Sequence, residues 1–324
     1  MTQPILVGYC PESLDRSPVD FAADAGRFTG APLVVAVVHP GGSPLARLAG
    51  GEFHHQPDGD DGEAVEHLRS ALLAEGVAAE FHAVEHSTPA RGLAAAIEEL
   101  RPALIVLGSS SRTRAGHVMP GSTAERVIHG APCPVAVVPR GHERPADGVR
   151  VVGAAVSPTP EGREALRAAA LLARAAGARV RAVMALNPKR AAEQSPGMLA
   201  AQHHDREAAE DIAARHRLDA QDDLKAAIAE LGPGVEVETD VLYQHPAHAL
   251  VAASANLDLL VMGSRAYGPL RSVVLGGVSR KVAAAAGCPV LVLPRGTEGA
   301  IEALLQAARP ASGELSSADQ ARST

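Results

Sequence analysis

Tryptophan is missing from the 324 residues, and only 3 tyrosines and 4 phenylalanines stand in for it. A chain so poor in rings has little with which to stack on bases, so nucleic-acid recognition by stacking is excluded. The core must instead be aliphatic, built from Val, Leu, Ile and Ala. A basic excess is missing too. The net charge of -7 and pI near 6.1 give no positive field of the kind that non-specific nucleic-acid binding uses. Cysteine is scarce: Cys10, Cys133 and Cys288 are odd in number and far apart. That spacing excludes a disulfide framework or a metal knuckle and points to a reducing compartment. No uninterrupted apolar run reaches the roughly 20 residues of a bilayer span. Met1 to Pro4 lead straight into a strand-like run without the basic stretch of a signal peptide. A cytoplasmic protein with no nucleic-acid and no membrane partner is expected.

What is present is a repeat. Leu104-Ile105-Val106-Leu107-Gly108-Ser109 matches Leu259-Leu260-Val261-Met262-Gly263-Ser264 at an offset of 155. Gly121 falls on Gly276 at the same offset, and the run from Cys133 to Gly141 falls on that from Cys288 to Gly296. Leu6-Val7-Gly8 resembles Val151-Val152-Gly153 at an offset of 145, so the second copy is longer in its middle. Two copies are too few for a solenoid and read as duplicated domains, residues 1–142 and 150–297, with a linker at 143–149 and a tail at 298–324.

Short β-branched runs alternate with alanine-rich segments in each copy, the pattern of a parallel sheet covered on both faces. Most runs, such as Leu33-Val34-Val35-Ala36-Val37-Val38, are continuous and not alternating, as burial on both faces requires. The fold class is therefore α/β, two tandem Rossmann-like doubly wound domains with a five-stranded parallel sheet each. Strands are predicted at 5–9, 33–38, 79–84, 103–107 and 135–138, and at 149–156, 179–186, 235–243, 257–262 and 290–293. Helices fill the gaps. Residues 40–62 read as a mobile loop or lid, 189–231 as one or two charged, solvent-facing helices, 301–308 as a short docking helix, and 311–324 as disordered.

Ligands of doubly wound sheets settle at the carboxyl ends of the strands where the winding reverses. The glycine loops after the fourth strand of each copy are the place to look. Gly263 and Ser264 leave that strand in the second copy, Arg265 and Arg271 follow, and Gly276-Gly277 open the next helix. In the first copy the same places hold Gly108, Ser109, Ser111, Arg112, Gly121 and Ser122. Amide groups at a helix start carry partial positive charge, glycine lets a phosphate approach, and Ser122, Thr123 and Ser279 add hydroxyl donors. Glycine also ends strands and begins helices with no ligand involved, and duplication copies turns as faithfully as sites. Both readings stay open.

With these motifs in place, the chain resembles a tandem universal stress protein, both halves covered from first strand to fifth. Nucleotide-binding members carry Gly, two residues, Gly, nine residues, then Gly followed by Ser or Thr. Here Ser111 and Ala266 stand at the middle glycine, and Gly277 stands at the second-half hydroxyl. The family also places an Asp at the end of the first strand against the nucleoside, where this chain has Cys10 and Ser157. The resemblance implies ATP or another adenine nucleotide at these positions, Mg²⁺ only in company with the nucleotide, and dimerisation through the last, edge strands, Val135 to Val138 and Val290 to Leu293. Within one chain the halves are expected to pair face to face as a pseudo-dimer, with a homodimer beyond.

Other residues have plainer readings beside functional ones. Glu12 and Asp15 read as helix-start groups ahead of Pro18, and His86 and His245 as helix-start positions ahead of Pro89 and Pro246. Cys10 is either a redox-sensitive thiol or, like Cys133 and Cys288, a small buried hydrophobe. His54-His55 and His203-His204 lack partner ligands at useful spacing, so no metal site is expected. Catalytic signatures are not found either. The expected function is a non-catalytic stress-response sensor of an adenine nucleotide. The alternatives are a ligand-free interaction protein and a slow ATPase, the last needing a general base and a metal-binding carboxylate.

Overall fold

The computed structural model describes residues 3–39, 60–109, 121–143, 148–188, 206–264, 276–296 and 299–306. In the first half β1 (Ile5–Tyr9), β2 (Leu33–His39), β3 (Ala79–Glu85), β4 (Leu104–Gly108) and β5 (Val135–Val138) alternate with α1 (Ser17–Thr29), α2 (Asp60–Ala74), α3 (Pro89–Leu100) and α4 (Ser122–Ile128). The second half runs β6 (Val151–Val156), α5 (Pro160–Ala176), β7 (Arg179–Ala185), α6 (Arg206–Ala229), β8 (Val237–Leu242), α7 (Pro246–Ser254), β9 (Leu259–Gly263), α8 (Gly277–Ala283) and β10 (Val290–Leu293), with α9 (Ala300–Gln306) behind it. Prolines in the first turn start α1, α3, α5 and α7, where no amide bond is lost. Gly30 and Gly177, both at φ 67, end α1 and α5 in the left-handed conformation that glycine adopts without strain.

All ten strands join one sheet in the order β3-β2-β1-β4-β5-β10-β9-β6-β7-β8. Pairing within each half is parallel. Between the halves it is antiparallel, with Val137 opposite Val290 and Val135 opposite Val292. The halves thus meet edge to edge, which corrects the face-to-face expectation. Each last strand exposes a row of N–H and C=O groups, and the other half supplies their partners. All four of these valines are fully buried. The outer edges β3 and β8 carry Glu80, Glu85, Glu238 and Asp240, charges that oppose further strand addition.

Side chains alternate across the sheet and feed two apolar layers. Ile5, Val7 and Tyr9 face the layer that α1, α2, α5, α6 and α9 cover. Leu6 faces the layer under α3, α4, α7 and α8. Ile301 and Leu304, at 0% and 1% exposure, dock α9 against the first of these layers. One segment expectation needs correction: residues 60–62 belong to α2 and not to the loop before it. Within 189–231, where one or two helices are expected, the described residues hold one, Arg206–Ala229. Residues 40–59, 189–205 and 311–324 lie outside the described residues.

Candidate functional site

The winding of the second half reverses between β6 and β9, which pair in parallel while β7 lies on the far side of β6. A cavity of about 670 Å³ opens there, at the carboxyl ends of β6, β7 and β9. Ser157, Gly263, Ser264, Gly276, Gly277 and Ser279 all line it. These are six of the residues expected from the sequence, and the fold brings them together from three separate stretches of chain. Their counterpart Gly108 likewise ends β4 with Ser109 directly after it, Gly121 caps α4, and Ser122 and Thr123 begin that helix. Ser111, Arg112, Arg265, His54-His55 and His203-His204 lie outside the described residues.

The floor of the cavity is tightly built. Thr159 caps α5, its Oγ1 accepting the Gly162 N–H at 3.2 Å. Ser157 Oγ and Thr159 Oγ1 share a hydrogen bond of 3.0 Å. A side chain at Gly162 would put Cβ 2.4 Å from the Ser157 carbonyl oxygen, so the helix start rests directly on the backbone that leaves β6. Gly263 is packed almost as closely, a Cβ there lying 2.7 Å from Glu161 Cβ. Glu161 in turn sits 3.5 Å from Arg295.

Ser264 distinguishes the two halves. Its counterpart Ser109 donates its hydroxyl to the Val138 carbonyl at 2.8 Å. Ser264 keeps the backbone half of that arrangement, its N–H reaching Leu293 O at 3.0 Å. Its hydroxyl, on a side chain 7% exposed, has no hydrogen-bond partner among the described residues. A buried hydroxyl left this way costs about 1–3 kcal/mol until a partner arrives. Nearby, Ser279 Oγ makes only a long contact of 3.4 Å to Gly263 O.

The sequence reading missed the contribution of α6. His216, Asp219 and Asp223 line the cavity, together with Asn187 beyond β7. No Lys or Arg stands among the described lining residues, and Glu161, Asp219 and Asp223 are acidic. The charged stretch had been expected to face solvent throughout. The spacing of Ala220, Leu224 and Ala227 marks the face of α6 turned to the sheet, but nothing in the sequence shows that the flank beside it overhangs the strand ends.

Cys10 is exposed, contrary to the buried alternative: the 3-10 turn Pro11–Ser13 lifts the chain outward directly after β1. Ser13 Oγ donates to the Cys10 carbonyl at 2.8 Å. Cys133 and Cys288 are buried, and desolvation pushes both thiols up to about 12. Asp15 is a helix-start group as expected, its Oδ1 accepting from Ser17 Oγ at 2.7 Å and from Ser17 N–H at 3.2 Å. His245 caps α7, its Nδ1 accepting the Ala247 N–H at 3.2 Å, whereas Thr88 and not His86 holds the cap position of α3. A larger cavity of about 930 Å³, between α3, α4 and α9, contains none of the expected site residues. Among the described residues no three His, Cys, Asp or Glu side chains converge as a metal site. None of the described helices is long and apolar enough to cross a membrane.

Comparison with known proteins bears on the same architecture. A universal stress protein of Mycobacterium tuberculosis is 28% identical over 303 residues, spanning 90% of this chain and 99% of its own. A crystal structure from Pseudomonas aeruginosa, of a protein assigned to the universal stress proteins, superposes with TM-score 0.62 at 19% identity, covering 95% of this chain and 98% of that one. A universal stress protein from Archaeoglobus fulgidus superposes with TM-score 0.53 at 20% identity, over 91% of this chain and 97% of its own. Both structural likenesses concern the fold. The sequence profile of the Universal stress protein family matches twice, over residues 1–139 and 148–294, and the chain therefore belongs to that family as a tandem of two such domains.

Proposed function

We propose that the protein is a non-catalytic stress-response sensor that binds ATP or a related adenine nucleotide in the cavity of its second half. One observation carries the reading: Ser264 presents a buried hydroxyl without a partner on the wall where Ser157, Gly263, Gly276, Gly277 and Ser279 converge. Buried polar groups are nearly always satisfied, so such a group is accounted for by a guest that completes it. The cavity, about 670 Å³, has the volume of an ordinary small-molecule site. Backbone exposed at Gly276 and Gly277 lets an anionic group come close, and Ser279 offers a hydroxyl whose present bond is weak.

Calorimetric titration with ATP, with and without Mg²⁺, tests the proposal. Saturable heat at one site per chain is expected, together with nucleotide retained in native mass spectra of the purified protein. Absence of heat at millimolar nucleotide would favour the ligand-free interaction protein. The slow-ATPase reading has one feature in its favour, the carboxylates of α6 at the cavity. Release of ADP no faster than in buffer removes it.

A further inference from the structure

Asp219 and Asp223 stand one helical turn apart on α6, and both line the cavity. Residues so spaced share a helix face, with Cβ atoms about 5–6 Å apart. Both are exposed, and neither is paired with a basic side chain among the described residues. Their neighbours explain the placement. Ala220 and Leu224, each one residue further on, are buried at 6% and 1% exposure, which anchors the helix and turns the two carboxylates to the flank beside the cavity.

Ionised carboxylates accept hydrogen bonds and cannot donate them. They also repel each other and repel phosphate. A guest that satisfies this flank must therefore offer neighbouring donors there and keep its anionic groups elsewhere. Resident metal is a poor fit, since no third ligating side chain joins the pair among the described residues. Two adjacent hydroxyls match two acceptors one turn apart. Ser264, with its buried unpartnered hydroxyl on the same cavity, independently marks this as a place for a guest.

From these features we infer that Asp219 and Asp223 hold the two ribose hydroxyls of the bound nucleotide and make the site selective for ribonucleotides. The inference rests on the nucleotide reading above and adds to it the residues that read the sugar. α6 thus supplies carboxylates in a cavity where the chain leaving β6 offers Ser157. The nucleotide lies with its sugar toward α6 and its phosphates toward Gly276 and Gly277.

The test uses the full chain in calorimetry with two probes, MgATP and its 2′,3′-dideoxy analogue, on the wild type and on the Asp219→Asn, Asp223→Asn double variant. The wild type is expected to prefer ATP by about tenfold or more, the size of one charge-assisted hydrogen bond. In the double variant the preference for ATP over the dideoxy analogue should disappear, the analogue's own binding staying level or tightening because two charges that repel phosphate are gone. The melting midpoint should stay level or rise, since two like charges one turn apart have been removed. If the wild type binds both probes equally, or if the folded variant keeps its preference, the inference is overturned and the nucleotide reading stands. If the wild type binds neither probe, the nucleotide reading falls and takes this inference with it. The comparison of two probes on the wild type needs no variant, so equal binding overturns the inference even if the double variant fails to fold.

Discussion

Replacing Gly162 by alanine sets two effects of opposite sign against each other. Gly162 is the third residue of α5, and in a helix alanine is favoured over glycine by about 1 kcal/mol. At this position, however, the new Cβ would lie 2.4 Å from both the carbonyl oxygen and the hydroxyl of Ser157, and 2.5 Å from its amide nitrogen. Two of these three atoms are backbone and cannot rotate away. Overpacking of this kind costs about 1–3 kcal/mol. Moving the first turn aside also weakens the 3.2 Å bond from Gly162 N–H to Thr159 Oγ1, a cap worth about 1 kcal/mol. The net is a loss of about 1–3 kcal/mol, or a fall in melting midpoint of roughly 2–12 °C for a domain of ordinary size. Thermal melts by circular dichroism read the first effect, and ATP titration reads the second, since Ser157 lines the cavity and its displacement should weaken binding. A midpoint at or above that of the wild type would refute the reasoning, for it would mean that helix propensity outweighs the contact.

Three other perturbations have defined outcomes. Gly277→Ala places a methyl where nothing lies within 4 Å, so stability should hold or rise by up to about 1 kcal/mol. ATP affinity should fall because Gly277 lines the cavity, and an unchanged affinity would remove it from the site. Cys133 and Cys288, pushed by burial from 9.0 to about 12, keep their protons in the folded chain after an unfolded chain has released them. Their stabilising contribution is therefore intact below pH 9.0 and is lost as pH rises toward 12, by about 1.4 kcal/mol per pH unit for each thiol. Melting midpoints should fall with rising alkalinity less steeply in a Cys133→Ala, Cys288→Ala variant, and parallel slopes would contradict this. Lysine at both Val137 and Val292, each 0% exposed, buries two unpaired charges at the seam, at several kcal/mol against a typical total of about 5–15. The halves should separate, seen as a larger radius in small-angle scattering and two melting steps. A single wild-type transition would argue that the seam tolerates charge.

Much of the architecture was legible because the strands are continuous aliphatic runs with sharp ends. Residues 5–9, 135–138 and 290–293 were placed without error, and β4 and β9 ended one residue later than expected, on Gly108 and Gly263. The glycine positions were legible for another reason, since duplication printed Gly108 and Gly121 again as Gly263 and Gly276. The part of the site on α6 was not. A helix with Ala220, Leu224 and Ala227 on its buried face and acids around it reads as solvated unless one knows that its flank overhangs the end of a sheet. That is a property of how the helix lies across strands distant in sequence. Ser264 and Ser109 are identical letters at equivalent positions, and only the fold shows that one hydroxyl is satisfied and the other is not.

The antiparallel junction of β5 and β10 has a bearing on how such a chain can evolve and work. Two separate subunits that must find each other are held to equal copies and to a concentration threshold, whereas a covalently joined pair meets at a fixed high effective concentration. Dilution does not part it. One member is then free to drift in its loops while still bracing the other, and a guest held beside β9 is only one strand, β10, away from the neighbouring half.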